Sequence, residues 1–379
     1  MSERIYLDHN ATSPLRNGVR EAVLAALDVC GNPSSVHAEG RAARGLIEAA
    51  REKVARLAGA RAEDVTFTSG GTEANALALS PKAGDWICYM SGIEHPSVLA
   101  GGRFPQEAIT SILATADGVI DLEKLATALA NSQVKGRRPF VSLMAANNET
   151  GAIQPVADVA SMVHEAGGFL HSDAVQAAGK VPFDLASSGA DMISLSAHKL
   201  GGPKGVGALV LREGVAVEPL IKGGGQERRR RAGTENIAGI VGFGVAAELA
   251  AAELANVGGL AKLRDELEQR VSAIAPDAVV LSAGVERLPN TSCIAVPGAK
   301  AETLVIGLDL AGVAVSAGSA CSSGKVEASH VLRAMGVADE LAQGAIRLSL
   351  GFATKRDDIE RFLSAYAELI KRLRPRVAA

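Results

Sequence analysis

Cysteine is scarce in this chain. Cys30, Cys88, Cys293 and Cys321 are scattered among 379 residues with no Cys-x-x-Cys spacing, so neither a disulfide framework nor a zinc site is expected. Aromatic residues are only 3% of the total, so a flat ligand must find its stacking partner mostly among other residue types. An excess of one charge is lacking too. The 39 Lys and Arg residues against 42 Asp and Glu give a net charge of −3, with no global attraction to nucleic acid or an anionic membrane. No run approaches about 18 uninterrupted apolar residues, and the opening Met1-Ser-Glu-Arg-Ile-Tyr-Leu-Asp-His-Asn10 lacks an apolar signal core. A cytoplasmic protein with no membrane partner and no direct nucleic-acid partner is expected.

What is present is a hydrophobic content of 47%, a charged content of 21% and 41 glycines, the composition of a soluble α/β protein. Short apolar runs at 65–68, 86–90, 140–145, 168–171, 192–195 and 206–211 read as strands. Between them lie helical patterns, as in Ala43, Leu46, Ile47, Ala50, Val54 and Leu57, closed by Gly59. Strand and helix in this rhythm predict a mostly parallel sheet covered on both faces, with its site at the carboxyl ends of the strands. After about Asn236 the texture changes to two long helices broken near residues 256–259, then strands at 278–281, 292–296 and 346–350 and a last helix over 355–373. This predicts a smaller α+β domain.

The apolar run Met192-Ile-Ser-Leu195 leads into Ser196-Ala-His-Lys199 and a Gly/Pro-rich turn. A lysine at the end of a buried strand, partly desolvated, is a nucleophile toward aldehydes. Another apolar run, Gly168-Phe-Leu-His171, leads to Asp173. Such a lysine with an aspartate able to keep a pyridine nitrogen protonated points to pyridoxal 5'-phosphate (PLP). Thr68-Ser-Gly-Gly-Thr-Glu-Ala-Asn75 leaves a strand and opens a helix, so N–H groups around Gly71 and Thr72 can hold a phosphate, with Ser196 and His198 as further donors. His95, just past the strand at 86–90, is flat enough to cover a pyridine ring and titrates near neutrality. Cys321 sits in Val315-Ser-Ala-Gly-Ser-Ala-Cys-Ser-Ser-Gly-Lys325, a segment almost without bulk and suited to an accessible thiol, whereas Cys30, Cys88 and Cys293 read as buried, inert thiols. Arg347, inside an apolar strand, needs an acidic partner: a substrate carboxylate or a carboxylate of the protein itself. The run Arg228-Arg-Arg-Arg231 reads as a solvated loop, since no aromatic residues interleave it as a nucleic-acid patch would have.

These residues carry a family. The chain resembles, nearly end to end, the group I cysteine desulfurases of the NifS/IscS type, within the class V aminotransferase-like PLP enzymes. The motifs are Tyr6-Leu-Asp-His-Asn-Ala-Thr12, Gly31-Asn-Pro-Ser-Ser-Val-His37, Ser69-Gly-Gly-Thr-Glu-Ala-Asn75, Glu94-His-Pro96, Asn147-Asn-Glu-Thr-Gly151, His171-Ser-Asp-Ala-Val-Gln176, Ser196-Ala-His-Lys199, Gly202-Pro-Lys-Gly205, Gly233-Thr-Glu-Asn236 and Gly318-Ser-Ala-Cys-Ser322. The resemblance implies PLP fold type I: a large domain over 13–250 with a mostly parallel seven-stranded sheet, and a small domain from 1–12 and 251–379.

The resemblance also implies a homodimer with PLP on Lys199. Asp173 would meet the pyridine nitrogen, Gln176 the ring hydroxyl, and Asn148 the ring and substrate. Gly71, Thr72, Ser196 and His198 would hold the phosphate, and Thr234 would reach the phosphate of the partner subunit. L-cysteine would become L-alanine, with Arg347 clamping its carboxylate, His95 handling the thiol proton and Cys321 receiving the sulfur as a persulfide. That sulfur would pass to an acceptor protein for iron–sulfur cluster assembly or for tRNA or cofactor thiolation, and Cys321 is admitted as a transient iron–sulfur ligand. Departures bear on the acceptor: Cys30 stands where an aromatic is common, and the segment after Asn75 is short. Selenocysteine lysis, transamination and a non-enzymatic RNA-binding scaffold are the alternatives at this stage.

Overall fold

The computed structural model describes residues 4–81, 84–317 and 329–373. The strands, in chain order, are β1 (Ile5–Tyr6), β2 (Val65–Thr68), β3 (Trp86–Ser91), β4 (Ile109–Ile112), β5 (Arg138–Ser142), β6 (Phe169–Asp173), β7 (Met192–Ser196), β8 (Gly207–Leu211), β9 (Val279–Val280), β10 (Thr291–Ala295), β11 (Val313–Ala314), β12 (Ser316–Ala317) and β13 (Ala345–Ser349). The helices are α1 (Asn17–Leu27), α2 (Ala38–Leu57), α3 (Gly71–Ala78), α4 (Pro96–Leu99), α5 (Leu122–Val134), α6 (Val156–Glu165), α7 (Leu185–Ser188), α8 (Ile237–Glu253), α9 (Gly258–Ile274), α10 (Ala301–Leu310), α11 (His330–Ala334), α12 (Asp339–Ala342) and α13 (Arg356–Leu373).

Seven strands form the larger sheet in the order β2-β8-β7-β6-β5-β3-β4. It is parallel except for β8, which runs antiparallel to both β2 and β7. The short connection from β7 to β8 dictates this, because a parallel return needs a long crossover. Central strands are buried on both faces, as Cys88, Val141, Leu170 and Leu209 show, and this produces their near-continuous apolar sequences. The strand β4 escapes sequence reading because it lies at the sheet edge with only Ile112 buried.

By length and composition, the stretch Ile237–Asn256 is long and apolar enough to cross a membrane. Here Ile240, Phe243, Ala246, Ala247 and Ala250 are buried in the core of the larger sheet, and α8 packs on α1 and α2. The crossing with α2 is close. A Cβ on Gly244 would stand 2.7 Å from Cα of Ala50, so only glycine lets the backbones meet.

A second core surrounds the antiparallel sheet β12-β13-β10-β9. Helix α13 buries Ile359, Phe362, Leu363, Tyr366 and Ile370 at steps of one, three or four, a stripe in which each side chain contributes roughly 2 kcal/mol. The N-terminus belongs to this core. Strand β1 pairs in parallel with β11, and Ile5 and Leu7 pack among the second core's residues. Asp8 then bridges to Ser349, and the following residues run to the edge of the larger sheet, where Ser13 N–H donates to the carbonyl of His198 at 2.8 Å.

Candidate active site

Strands β6 and β7 are parallel neighbours with Asp173 opposite Ser194, so both end at the same edge of the sheet. Asp173 is the last residue of β6, and one tight turn after β7 presents Lys199. The Lys199 ammonium donates to the carbonyls of Asn10 and Ala11, the latter at 2.8 Å, and pairs with no carboxylate among the described residues. Burial pushes its pKa down to about 8; Arg347 adds to this, while Asp173 and Asp8 oppose it. A neutral, nucleophilic fraction of this amine is therefore present at neutral pH.

A chain of hydrogen bonds links Asp173 to His95. Asn75, buried on α3, donates from Nδ2 to Oδ2 of Asp173 at 2.7 Å and to Oγ of Ser97 at 2.9 Å. Ser97 sits 2.8 Å from Nδ1 of His95, which also accepts the Ser97 backbone N–H at 3.2 Å. Nδ1 is thus an acceptor, and the neutral ring carries its proton on Nε2. Desolvation lowers the His95 pKa, helped by Lys199 and His330 and opposed by Asp173, so the ring is neutral at physiological pH. Neither Asn75 nor Ser97 stands out as a site residue in the sequence. Their polar side chains matter only through partners on other elements.

Arg347 projects from β13 into the same region. Its Nη2 pairs with Oδ1 of Asp8 at 2.7 Å and its Nη1 donates to the carbonyl of Asn148 at 3.1 Å, while buried Nε has no partner among the described residues. The protein's own carboxylate therefore occupies part of the guanidinium fork, and three of its five N–H groups are left without a partner among the described residues. Asn148 is half-buried, and its carbonyl also accepts from Asn10 Nδ2 at 3.2 Å. Gln176 donates from Nε2 to the Asn10 carbonyl at 3.0 Å. Asn10 is accordingly the hub of the site, and sequence reading missed it.

The start of α3 forms a cradle. Gly70 offers no capping side chain, and the N–H groups of Gly71 and Thr72 have no acceptor among the described residues. A Cβ on Gly71 would come within 3.0 Å of Val175 Cγ2 and 3.4 Å of Ser196 Cβ, so glycine brings the helix end against β7. His198 lies on the same turn, with Nδ1 3.1 Å from Thr12 Oγ1, and burial pushes its pKa down to about 4, with Lys199 and Lys204 adding. Free amides and a helix N-terminus make an anion hole.

Thr234 is exposed and makes no hydrogen bond to the other candidates among the described residues. The loop before it is less solvated than its four arginines imply. Arg231 pairs with Glu73 of α3 at 3.0 Å, Arg230 donates to the Glu63 carbonyl at 2.9 Å, and buried Glu227 forks onto Arg51. Cys321 lies outside the described residues. Cys88 and Cys293 are buried as expected, but Cys30 is exposed, because it follows the end of α1 in a surface segment rather than a strand. Two carboxyls near the site are buried. Glu94 is held well above its usual range by burial, with Asp173 adding. Glu149, which accepts from Ser329, is raised to about 7 by burial against the opposing effects of Ser329 and Arg347.

Comparison with known proteins places the chain in a family. Residues 5–362 match the family described as aminotransferase class-V. A cysteine desulfurase of Cereibacter sphaeroides is 48% identical, covering 98% of this chain and 97% of its own. The cysteine desulfurase IscS of Dictyoglomus turgidum is 42% identical, covering 99% and 96%. A solved NifS-like protein from Rickettsia africae superposes with a TM-score of 0.88 at 36% identity, over 97% of this chain and 100% of that one. A strand-end lysine, a buried aspartate and an anion cradle on this fold lead to one assignment: the chain belongs to the class-V aminotransferase family, among its cysteine desulfurases.

Proposed function

We propose that this protein is a PLP-dependent cysteine desulfurase that converts L-cysteine to L-alanine and loads the sulfur on Cys321 as a persulfide. The observation that carries the reading is the pairing of two strand ends: an uncharged fraction of Lys199 amine, and an Asp173 carboxylate that accepts a hydrogen bond from Asn75. The donor set fits a phosphorylated pyridine aldehyde. Gly71, Thr72, Ser196 and His198 suit its phosphate, Asp173 its ring nitrogen, Gln176 its hydroxyl, His95 its face and Lys199 its aldehyde. When bound, PLP supplies an electron sink that makes C–H and C–S cleavage at the substrate accessible.

The remaining work falls to side chains. Lys199 is the base for the Cα proton, and its lowered pKa suits that task near neutral pH. Arg347 receives the substrate carboxylate through guanidinium N–H groups that Asp8 and Asn148 do not take up, and Asn148 borders the same space. His95, with its proton on Nε2, stabilises the substrate thiolate by donation. The Cys321 thiolate bonds to the substrate sulfur as the C–S bond breaks and its electron pair stays on carbon; a proton on that carbon, and one returned to Cα, complete L-alanine.

We further infer a cytoplasmic homodimer in which Thr234 reaches the partner subunit's phosphate site; exposed Leu24 and Leu27 on α1, and Val36 beyond it, offer apolar surface for assembly. The division at 13–250 against 1–12 with 251–379 rests on β1 joining the second core. The persulfide would supply an acceptor protein in iron–sulfur assembly or thiolation.

The test is to incubate the protein with cysteine and map the added sulfur by mass spectrometry. It is expected on Cys321, with Cys321→Ala still yellow and still binding cysteine but releasing no alanine. Normal turnover by that variant would remove Cys321 from the mechanism.

A further inference from the structure

Lys199 is not the only amine at this site. Lys180 follows Gln176 by four residues in the run of turns after β6, and the two side chains meet there. Its ammonium donates to Oε1 of Gln176 at 2.7 Å and to Oδ1 of Asn10 at 3.2 Å. Asn10 thus receives both amines, Lys199 on its backbone carbonyl and Lys180 on its side-chain oxygen. Asn290 also donates to that side-chain oxygen, at 3.2 Å, and Asn10 Nδ2 is tied to Thr291 at 2.8 Å, which anchors the hub to the second sheet. Every acceptor offered to the two amines is a neutral oxygen, and no carboxylate pairs with either among the described residues.

We propose that Lys180 is a positioning residue of this site: it fixes the Gln176 amide, and its charge competes with that of Lys199 across Asn10 so that the pair resists carrying two charges together. The orientation follows from donor chemistry. An ammonium can only donate, so the Gln176 oxygen must face Lys180 and its NH2 must face away, toward the Asn10 carbonyl and the ring hydroxyl that the proposed cofactor would present. The competition follows from burial. Desolvation takes the Lys180 pKa down to about 7, with Lys199 and then Arg347 adding to the effect. The charged and titratable groups around the pair are Arg347 on β13, Asp8 and His9 in the N-terminal segment, Asp173 on β6, His95 and His198, with Arg16 and Glu253 lining the same cavity; His9 is itself pushed down to about 4 by burial, then Lys180 and Arg16. Two ammonium groups facing neutral oxygens in this setting repel, and the proton that leaves first is shared between them.

This inference rests on the proposed function only for its consequence, a Lys199 amine free to act near neutral pH. The experiment is pulsed reductive methylation of the full chain stripped of cofactor, across pH 5.5 to 10.5 in roughly half-unit steps, with Lys180 and Lys199 peptides read separately by mass spectrometry. Both amines are expected to titrate near 7 to 8 rather than at the ordinary 10.5. Lys180 is the first of the two to lose its proton, so Lys199→Met should move the Lys180 midpoint up by about one pH unit, and Lys180→Arg, whose charge never leaves, should hold the Lys199 midpoint at or below the wild-type position. An ordinary lysine midpoint for wild-type Lys180 overturns the proposal even if neither variant folds. So does an unmoved Lys180 midpoint in Lys199→Met, or a Lys199 midpoint above the wild-type position in Lys180→Arg. Borohydride trapping of PLP on a lysine other than Lys199, with these profiles intact, would instead count against the proposed function alone.

Discussion

Glu227→Gln tests how the loop leading to Thr234 is held. Glu227, Arg228 and Arg229 have φ of 43, 53 and 64°, three successive left-handed residues with side chains, each costing roughly 1–2 kcal/mol. What holds them is a buried carboxylate. Glu227 accepts from Arg51 at 2.6 and 2.9 Å and from the Phe67 backbone N–H at 2.9 Å, and Arg51 stacks over the Phe67 ring at 4.7 Å. Glutamine keeps the shape and loses the charge, stranding a buried guanidinium whose other side-chain partner is the partly exposed Glu48. Breaking a buried pair costs about 3–5 kcal/mol, comparable to the strain, so residues 223–234 should detach locally before the protein melts. The assay is hydrogen exchange read peptide by peptide, with thermal melting alongside. Protection across 223–234 should fall by about two orders of magnitude, and the melting temperature by several degrees. Adding Arg51→Met should restore part of the loss, because removing both charges is milder than removing one. Unchanged protection and melting in Glu227→Gln would refute the account.

Glu149 makes stability depend on pH. Its pKa is about 7 folded against 4.5 in the open chain, so between those values the folded state keeps a proton that the unfolded state has lost. Stability should therefore fall by about 3 kcal/mol as pH rises from about 4.5 to about 7, then level off. Glu149→Gln should flatten that slope in denaturant titrations. Asn75→Ala removes a donor to the buried Asp173 carboxylate, worth roughly 1.5–3 kcal/mol, and should weaken PLP binding at least tenfold in a fluorescence titration. Unaltered PLP affinity would show that Asn75 does not support Asp173.

The parts of the protein that read clearly from sequence are those whose physics is local. Strand β2 was expected over 65–68 and is found there, because its four residues are all buried. The break between α8 and α9 falls where Asn256 and the two glycines after it interrupt the apolar pattern. Helix α2 begins earlier than its apolar periodicity implies. His37 caps it by accepting the Gly40 N–H, a bond between polar and small residues that leaves no hydrophobic trace. The site divides in the same way. Lys199 and Asp173 announce themselves as polar residues at the ends of apolar runs. Asn10, Asn75, Ser97 and Lys180 do not, since each is defined by what it meets across the fold: Asn75 meets Asp173 from 98 positions away. The arginine run misled for a related reason, because the carboxylates that pin it, such as Glu73, are remote in the chain.

Residues 8 to 12 thread from the second sheet to the lysine, and this fixes an order of events. Asn10 is set in place by Ser349 on β13 and by Thr291 on β10, late-synthesised strands, yet its carbonyl is what Lys199 leans on. A growing polypeptide can finish the big sheet, lysine included, long before that support exists. The support under the lysine is complete only once β10 and β13 meet the segment around Asn10, and contacts so distant in sequence form slowly.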